Sequence, residues 1–237
     1  NEYNLIKRKI MNGEKFRNTF ISIKGILGLI EAKDVAIPEI QRPFVWKNSQ
    51  VRDLIDSLYK GYPTGYIILW KNPNVKLKDG TISSGKKVII DGQQRITALM
   101  TAVAAQKVFN NEFKECRVKI AFNPFAALDY ANGNSEAEIF AVQTPAHLKS
   151  KYWIPDISEI FSTSFSSWTF IPKYIEQNPN MTGEDLQGVL NTLKGIEAIQ
   201  MGVIELSENL DIDVVTDIFI RINSKGSALS QGDFVMS

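Results

Sequence analysis

The run Val88-Ile89-Ile90-Asp91-Gly92-Gln93-Gln94-Arg95-Ile96-Thr97-Ala98-Leu99 limits the folds open to this chain more than any other stretch. Three β-favouring residues run into Asp-Gly, and from Ile96 onward Leu99, Met100 and Val103 recur at helical spacing. A strand therefore meets a polar turn and then an amphipathic helix. The first N–H groups of such a helix lack intrahelical partners and its dipole is positive there, so the turn can hold a phosphate or a carboxylate. Arg95 adds a forked cation. A second reading needs no ligand: Asp91 as N-cap with Gln94 three residues on fits a capping box. Gly92, Gln93 and Arg95 nevertheless bring more hydrogen-bonding capacity than a cap uses.

Around this unit the periodicity predicts a helix over 22–31 capped by Ser22, then a strand-like piece over 35–46 that closes in a proline-bounded loop carrying Gln41 and Arg42. Ser49 is expected to open the clearest amphipathic helix, with Val51, Leu54, Ile55, Leu58 and Tyr59 on one face and Gly61 as its C′ residue. Tyr66 to Trp70 reads as a buried strand bounded by Gly65, and Cys116 to Phe122 alternates as a half-buried one. From 123 to 200 strand signals thin out and a mostly helical insertion is expected. Within it Phe161 to Phe170 reads as a surface loop or partner-facing segment, or as aromatics that simply pack, and Thr182 with Asp185 starts a helix. Gly202 to Leu206 returns to strand. Asp211 then caps a helix with Val214, Val215, Ile218, Phe219 and Ile222 on its apolar side, which delivers a second polar turn, Arg221 to Gly226.

Several chemistries fail on residue inventory. His147 is the one histidine, so no histidine-based metal site can be built, and its place after Thr144-Pro145-Ala146 suits a helix start or a surface position. Neither Gly-x-Ser-x-Gly nor a Walker phosphate loop occurs. Cys116 stands alone, which excludes an internal disulfide and fits a reducing compartment. Lys plus Arg number 27 against 26 for Asp plus Glu, so the net charge of +1 gives no global pull toward nucleic acid. No apolar run reaches the roughly 20 residues of a membrane span. A cytoplasmic location is expected, and the missing initiator Met suggests a piece of a longer chain. What remains are polar turns that each carry an arginine: Gln41-Arg42, Asp91 to Arg95, and Arg221 to Gly226.

In order and wording, Ile37 to Trp46, Ile90 to Thr97 and Phe219 to Gly226 resemble the N-terminal domain family of GmrSD-type, modification-dependent restriction enzymes, with Asp-Gly-Gln-Gln-Arg the most specific element. The resemblance implies an α+β fold, a ParB/sulfiredoxin-like mixed α/β core with a mostly helical insertion. The nucleotide-binding core would span 1–122, the insertion 123–200, and a strand and helix returning to the core 201–237. It also implies a domain that binds and hydrolyses a nucleoside triphosphate, with Mg²⁺ expected as cofactor. That event would regulate an HNH-like nuclease domain, C-terminal or in a partner, acting on modified DNA.

On the same footing Asp91, Gln94 and Arg95 are the catalytic residues. Gln41, Arg42, Gly92, Gln93, Arg95, Arg221, Asn223, Ser224 and Gly226 are the nucleotide-binding set. Asp91, Asp53 and Asp56 are offered as oxygen ligands, and the metal ligands stay open, as does homo-oligomerisation. No nuclease activity is expected of these residues. The competing readings are a nucleotide switch without hydrolysis, a module that reads modified or phosphorothioated DNA through bases such as Lys7, Arg8, Lys9, Lys149 and Lys151, and a scaffold whose motif is only a cap.

Overall fold

The apolar runs on either side of the polar turn become neighbouring elements in a computed structural model of the chain, which describes residues 15–37, 43–71, 86–134 and 137–223. β1 (Phe16–Ser22), which the sequence does not announce, leads into α1 (Ile23–Glu31), and Ser22 caps that helix by accepting the Gly25 N–H at 3.0 Å. After β2 (Val35–Ala36), α2 (Asn48–Tyr59) begins one residue before Ser49. Gln50 Oε1 accepts the Lys47 N–H at 2.8 Å there, and Val51, Leu54, Ile55 and Leu58 are buried as their spacing predicts. β3 (Tyr66–Lys71), β4 (Lys87–Asp91) and α3 (Gln93–Ala102) complete the first half.

The expected strand over 116–122 is instead two. β5 (Val108–Phe109) and β6 (Glu115–Cys116) form a hairpin, while β7 (Ile120–Phe122) pairs antiparallel with β8 (Phe140–Val142). Between β6 and β7 the Val118 N–H donates to Thr101 Oγ1 at 2.7 Å and Arg117 pairs with Asp156 at 2.9 Å. A donor spent on a side chain cannot extend a ladder, so the alternation does not produce one strand.

The region that follows is mostly helical: α4 (Pro124–Ala131), α5 (Pro145–Lys149), α6 (Ser158–Phe161), α7 (Ser167–Gln177), α8 (Gly183–Lys194) and a 3₁₀ turn over Gly195–Ala198. Thr182 caps α8 as expected, accepting the Asp185 N–H at 3.1 Å, and His147 Nδ1 accepts the Thr144 N–H at 3.0 Å at the start of α5. In the aromatic segment Phe161, Phe165 and Phe170 pack against the core, whereas Trp168 is 90% exposed. β9 (Gln200–Leu206) and α9 (Ile212–Asn223) end the described chain. On α9, Val215 and Phe219 are buried but Val214 and Ile222 are exposed, so the apolar stripe is narrower than the sequence pattern suggests.

The central five-stranded sheet runs β1-β9-β3-β4-β2. β1 with β9 and β3 with β4 are antiparallel, while β9 with β3 and β4 with β2 are parallel, which makes an α+β fold on a mixed sheet. Side chains alternate across the two faces. Ile67, Leu69, Ile89, Met201 and Val203 join the main core with α1, α2, α3 and the helical region. Ile68, Trp70, Val88, Ile90 and Leu206 form a second cluster with Val215 and Phe219 of α9. At the sheet end where β1 and β4 start and β9 finishes, Glu205 accepts from Arg17 Nε at 2.8 Å and pairs with Lys87 at 2.7 Å. Burial opposes ionisation of this carboxyl, but hydrogen bonds from Lys87 and Arg17 outweigh it and hold it below the usual carboxylate range. Among the described residues no helix is long and apolar enough to cross a membrane.

Candidate functional site

β4 delivers the polar turn to the end of the sheet where β3 begins. The β3–β4 ladder shifts there: Leu69 faces Ile89, but Ile68 faces Asp91, so Ile90 is an extra residue on β4. A bulge of this kind re-aims the residue beside it. In unbroken register Asp91 would face Ile67, whose side chain is fully buried in the main core. The shift places it opposite Ile68 on the α9 face, with its carboxylate 28% exposed.

Gly92, not Asp91, is the N-cap of α3, at φ 90° and ψ 6°, and no side chain caps the helix. The capping-box alternative therefore does not hold. Gln94 is occupied elsewhere: its Oε1 accepts the Val45 N–H at 3.0 Å and its Nε2 donates to the Pro43 carbonyl at 3.2 Å. It clamps the backbone that follows Arg42. The same segment is held from the other side by the Phe44 N–H, which donates to the Phe109 carbonyl of the β5–β6 hairpin at 3.0 Å.

Arg95 turns back under the turn. Its Nη1 donates to the Thr64 carbonyl at 2.7 Å, and its Nη2 lies 3.5 Å from Asp91 Oδ2, a loose ion pair with the arginine side chain 17% exposed. Desolvation lowers the guanidinium pKa and the Asp91 charge partly restores it, so the group stays a cation in a half-dry setting. Two glycines make the fit. Gly65 has φ +87° and a Cβ there would stand 2.6 Å from Arg95 Nη1. Gly92 has φ +90° and a Cβ would stand 3.3 Å from Ile67 Cγ1 and 3.5 Å from Arg95 Nη2. Both positions require a residue without a side chain. Among the described residues nothing hydrogen-bonds the Asp91 carboxylate, and Gln93, 9% exposed, makes no side-chain hydrogen bond. The turn thus combines a carboxylate, a fixed guanidinium and the uncapped N–H groups of a helix.

The structure brings Asp91, Gly92, Gln94 and Arg95 together with Thr64, Gly65 and the 43–45 backbone. Nothing in the sequence marks Thr64 as part of this site, and the signal for Gly65 is a glycine directly before an apolar strand. Gln41, Arg42, Ser224 and Gly226 lie outside the described residues, and Asn223 is the last residue of α9. Arg221 is exposed on α9, where its Nε donates to Asp217 Oδ2 at 2.8 Å, and that bond raises its pKa. Phe219, two residues earlier, belongs to the apolar cluster that includes Ile68 and Ile90, so α9 packs on the sheet face to which Ile90 contributes. Asp53 and Asp56 are engaged by Arg52 Nε at 2.6 Å and Lys60 Nζ at 2.8 Å. Among the described residues no group of three or more His, Cys, Asp and Glu could hold a metal ion, which leaves Asp91 as one carboxylate beside the turn.

Comparison with known proteins adds family context to this geometry. Residues 23–237 match the family model described as "GmrSD restriction endonuclease, N-terminal domain". The chain is also 23% identical to the "Uncharacterized protein MJ0686" of Methanocaldococcus jannaschii, over 90% of this chain and 41% of that protein. It thus spans less than half the length of that relative.

Proposed function

The chain belongs to the family of GmrSD restriction endonuclease N-terminal domains, and from that premise we propose that it binds and hydrolyses a nucleoside triphosphate and thereby controls a nuclease domain outside these residues. The observation that supports this most is the Asp91–Arg95 turn, where an uncapped helix start, a carboxylate that no described residue hydrogen-bonds and a half-buried guanidinium meet. Backbone N–H groups of Gln93, Gln94 and Arg95 offer donors to phosphate oxygens, and Arg95 offers those guanidinium N–H groups not spent on Thr64. Arg42, which directly precedes the Pro43–Val45 backbone in sequence, would supply a further cation.

The clamp divides the labour. With both amide atoms of Gln94 bonded to the 43–45 backbone, Gln94 acts as a positioning residue for that loop, and Asp91 is the group that orients the attacking water. Asp91 also fits a Mg²⁺ ion, which protein sites commonly hold through one or two carboxylates plus phosphate oxygens. When bound, that ion would neutralise phosphate charge. Restriction or anti-phage defence, with modified DNA as the substrate of the partner nuclease domain, is the setting we propose for this switch.

The test is phosphate release from ATP, GTP, CTP and UTP in the presence of Mg²⁺. Wild type should turn over at least one of them, and Asp91→Asn should lower kcat at least tenfold while retaining nucleotide binding. Absence of turnover by the folded wild type, with nucleotide binding retained, would establish a switch without hydrolysis instead.

A further inference from the structure

Tyr66 opens β3 beside Gly65, yet it is not part of the apolar cluster that α9 covers. Ile68 and Trp70 share its face of the strand and are 1% and 3% exposed, whereas Tyr66 is 56% exposed. Its ring is directed sideways over β9. A Cβ at Gly202, the residue paired with Tyr66, would stand 2.5 Å from both Cδ1 and Cε1 of the ring. The ring therefore occupies the volume a side chain at 202 would need. On the other flank of Gly202 the paired residue of β1 is Phe20, 69% exposed. Glycine inside a strand costs stability relative to a residue with a side chain. Here it admits an aromatic ring that remains more than half open to solvent.

Position gives that ring a use. Tyr66 lies at the end of the sheet where β4 delivers Asp91, because β3 and β4 are antiparallel and Asp91 faces Ile68. Asp91 and Tyr66 share the α9 face, and the ring over β9 lies two strand spacings from β4, about 10 Å. That separation suits a nucleotide whose phosphates meet the turn and whose base reaches across β3. We propose that Tyr66 is the stacking platform for the base of the nucleotide held at the Asp91–Arg95 turn, an inference that rests on the nucleotide reading above. Aromatic stacking is tolerant of base identity, since every base offers a π face.

The experiment compares binding of ATP, GTP and inorganic tripolyphosphate to wild type, Tyr66→Phe and Tyr66→Ile, with thermal melts to confirm folding. Stacking predicts that Tyr66→Ile weakens the purine nucleotide roughly tenfold or more. Tyr66→Phe should stay within about twofold of wild type, and tripolyphosphate should bind all three proteins alike. Unchanged nucleotide affinity in folded Tyr66→Ile overturns the proposal. So does equal affinity of wild type for tripolyphosphate and nucleotide, which would leave the phosphate site standing without a base subsite. If wild type binds neither, the nucleotide reading fails and this inference fails with it. Should Tyr66→Ile not fold, photolabelling of wild type with 8-azido-ATP and 8-azido-GTP decides: label in the peptide carrying Tyr66 supports the platform, and label confined elsewhere refutes it.

Discussion

Gly65→Ala tests whether the Arg95 guanidinium is seated against the backbone of the 64–65 turn. The substitution places a methyl group 2.6 Å from Arg95 Nη1 at a residue with φ +87°. A side chain in this left-handed region costs about 1–2 kcal/mol. The guanidinium can move away only by giving up its 2.7 Å bond to the Thr64 carbonyl. Hydrogen bonds involving a charged group are worth about 1.5–3 kcal/mol. The sum, about 3.5 kcal/mol, should lower Tm by roughly 7–14 °C in a chain of 237 residues.

A double-mutant cycle separates the two contributions. In an Arg95→Ala background the methyl group meets open space, so Gly65→Ala should then cost only the backbone strain, about 1–2 kcal/mol. The coupling expected from urea denaturation is therefore about 2 kcal/mol, with the double variant more stable than the sum of the singles predicts. Independent sites add to within about 0.5 kcal/mol. A coupling below that limit would mean that Arg95 is not seated against Gly65, and the account of why Gly65 must be glycine would be refuted.

Further outcomes follow from the same bonds. Gln94→Ala removes the acceptor for the Val45 N–H and the donor to Pro43, so hydrogen exchange over residues 43–47 should accelerate while global stability falls by only about 1–2 kcal/mol. Glu205→Gln should be most costly near neutral pH, by about 1–2 kcal/mol, since it replaces the charged acceptor of Arg17 and Lys87, whose own side chains stay partly solvated, by a neutral amide. Because the folded-state pKa of Glu205 lies below its ordinary value of 4.5, its contribution is full above that value and is lost as pH falls through the folded pKa. Stability curves of wild type and Glu205→Gln should therefore draw together as pH is lowered from 4.5. Thr182→Ala removes the cap of α8 and should cost about 1 kcal/mol, a Tm loss of roughly 2–4 °C by differential scanning calorimetry.

What the sequence discloses divides along the range of the interactions. α2 and α8 follow from apolar spacing and a polar residue at one end, and both are local properties. β3 and β4 are legible because buried central strands are near-continuous apolar runs. β1 is not, since as an edge strand it is exposed at its first five residues and shows no alternation to read. The motif from Asp91 to Arg95 is contiguous and so legible in the sequence, but the partners that define its members are distant: Thr64 is 31 residues from Arg95, and Val45 is 49 from Gln94. That distance is why the sequence offers Gln94 as a cap partner or a catalytic residue without disclosing that its amide holds the 43–45 backbone. Asp91 depends on something a sequence pattern does not display at all. Counting alternation along Val88-Ile89-Ile90-Asp91 places Ile89 and Asp91 on one face, the face of the main core. The extra residue at Ile90 reverses that assignment and puts the carboxylate where it is 28% exposed, instead of where an ionised group would have to lose its water. A one-residue irregularity in the β3–β4 ladder thus separates a carboxylate that could carry chemistry from one that would oppose folding.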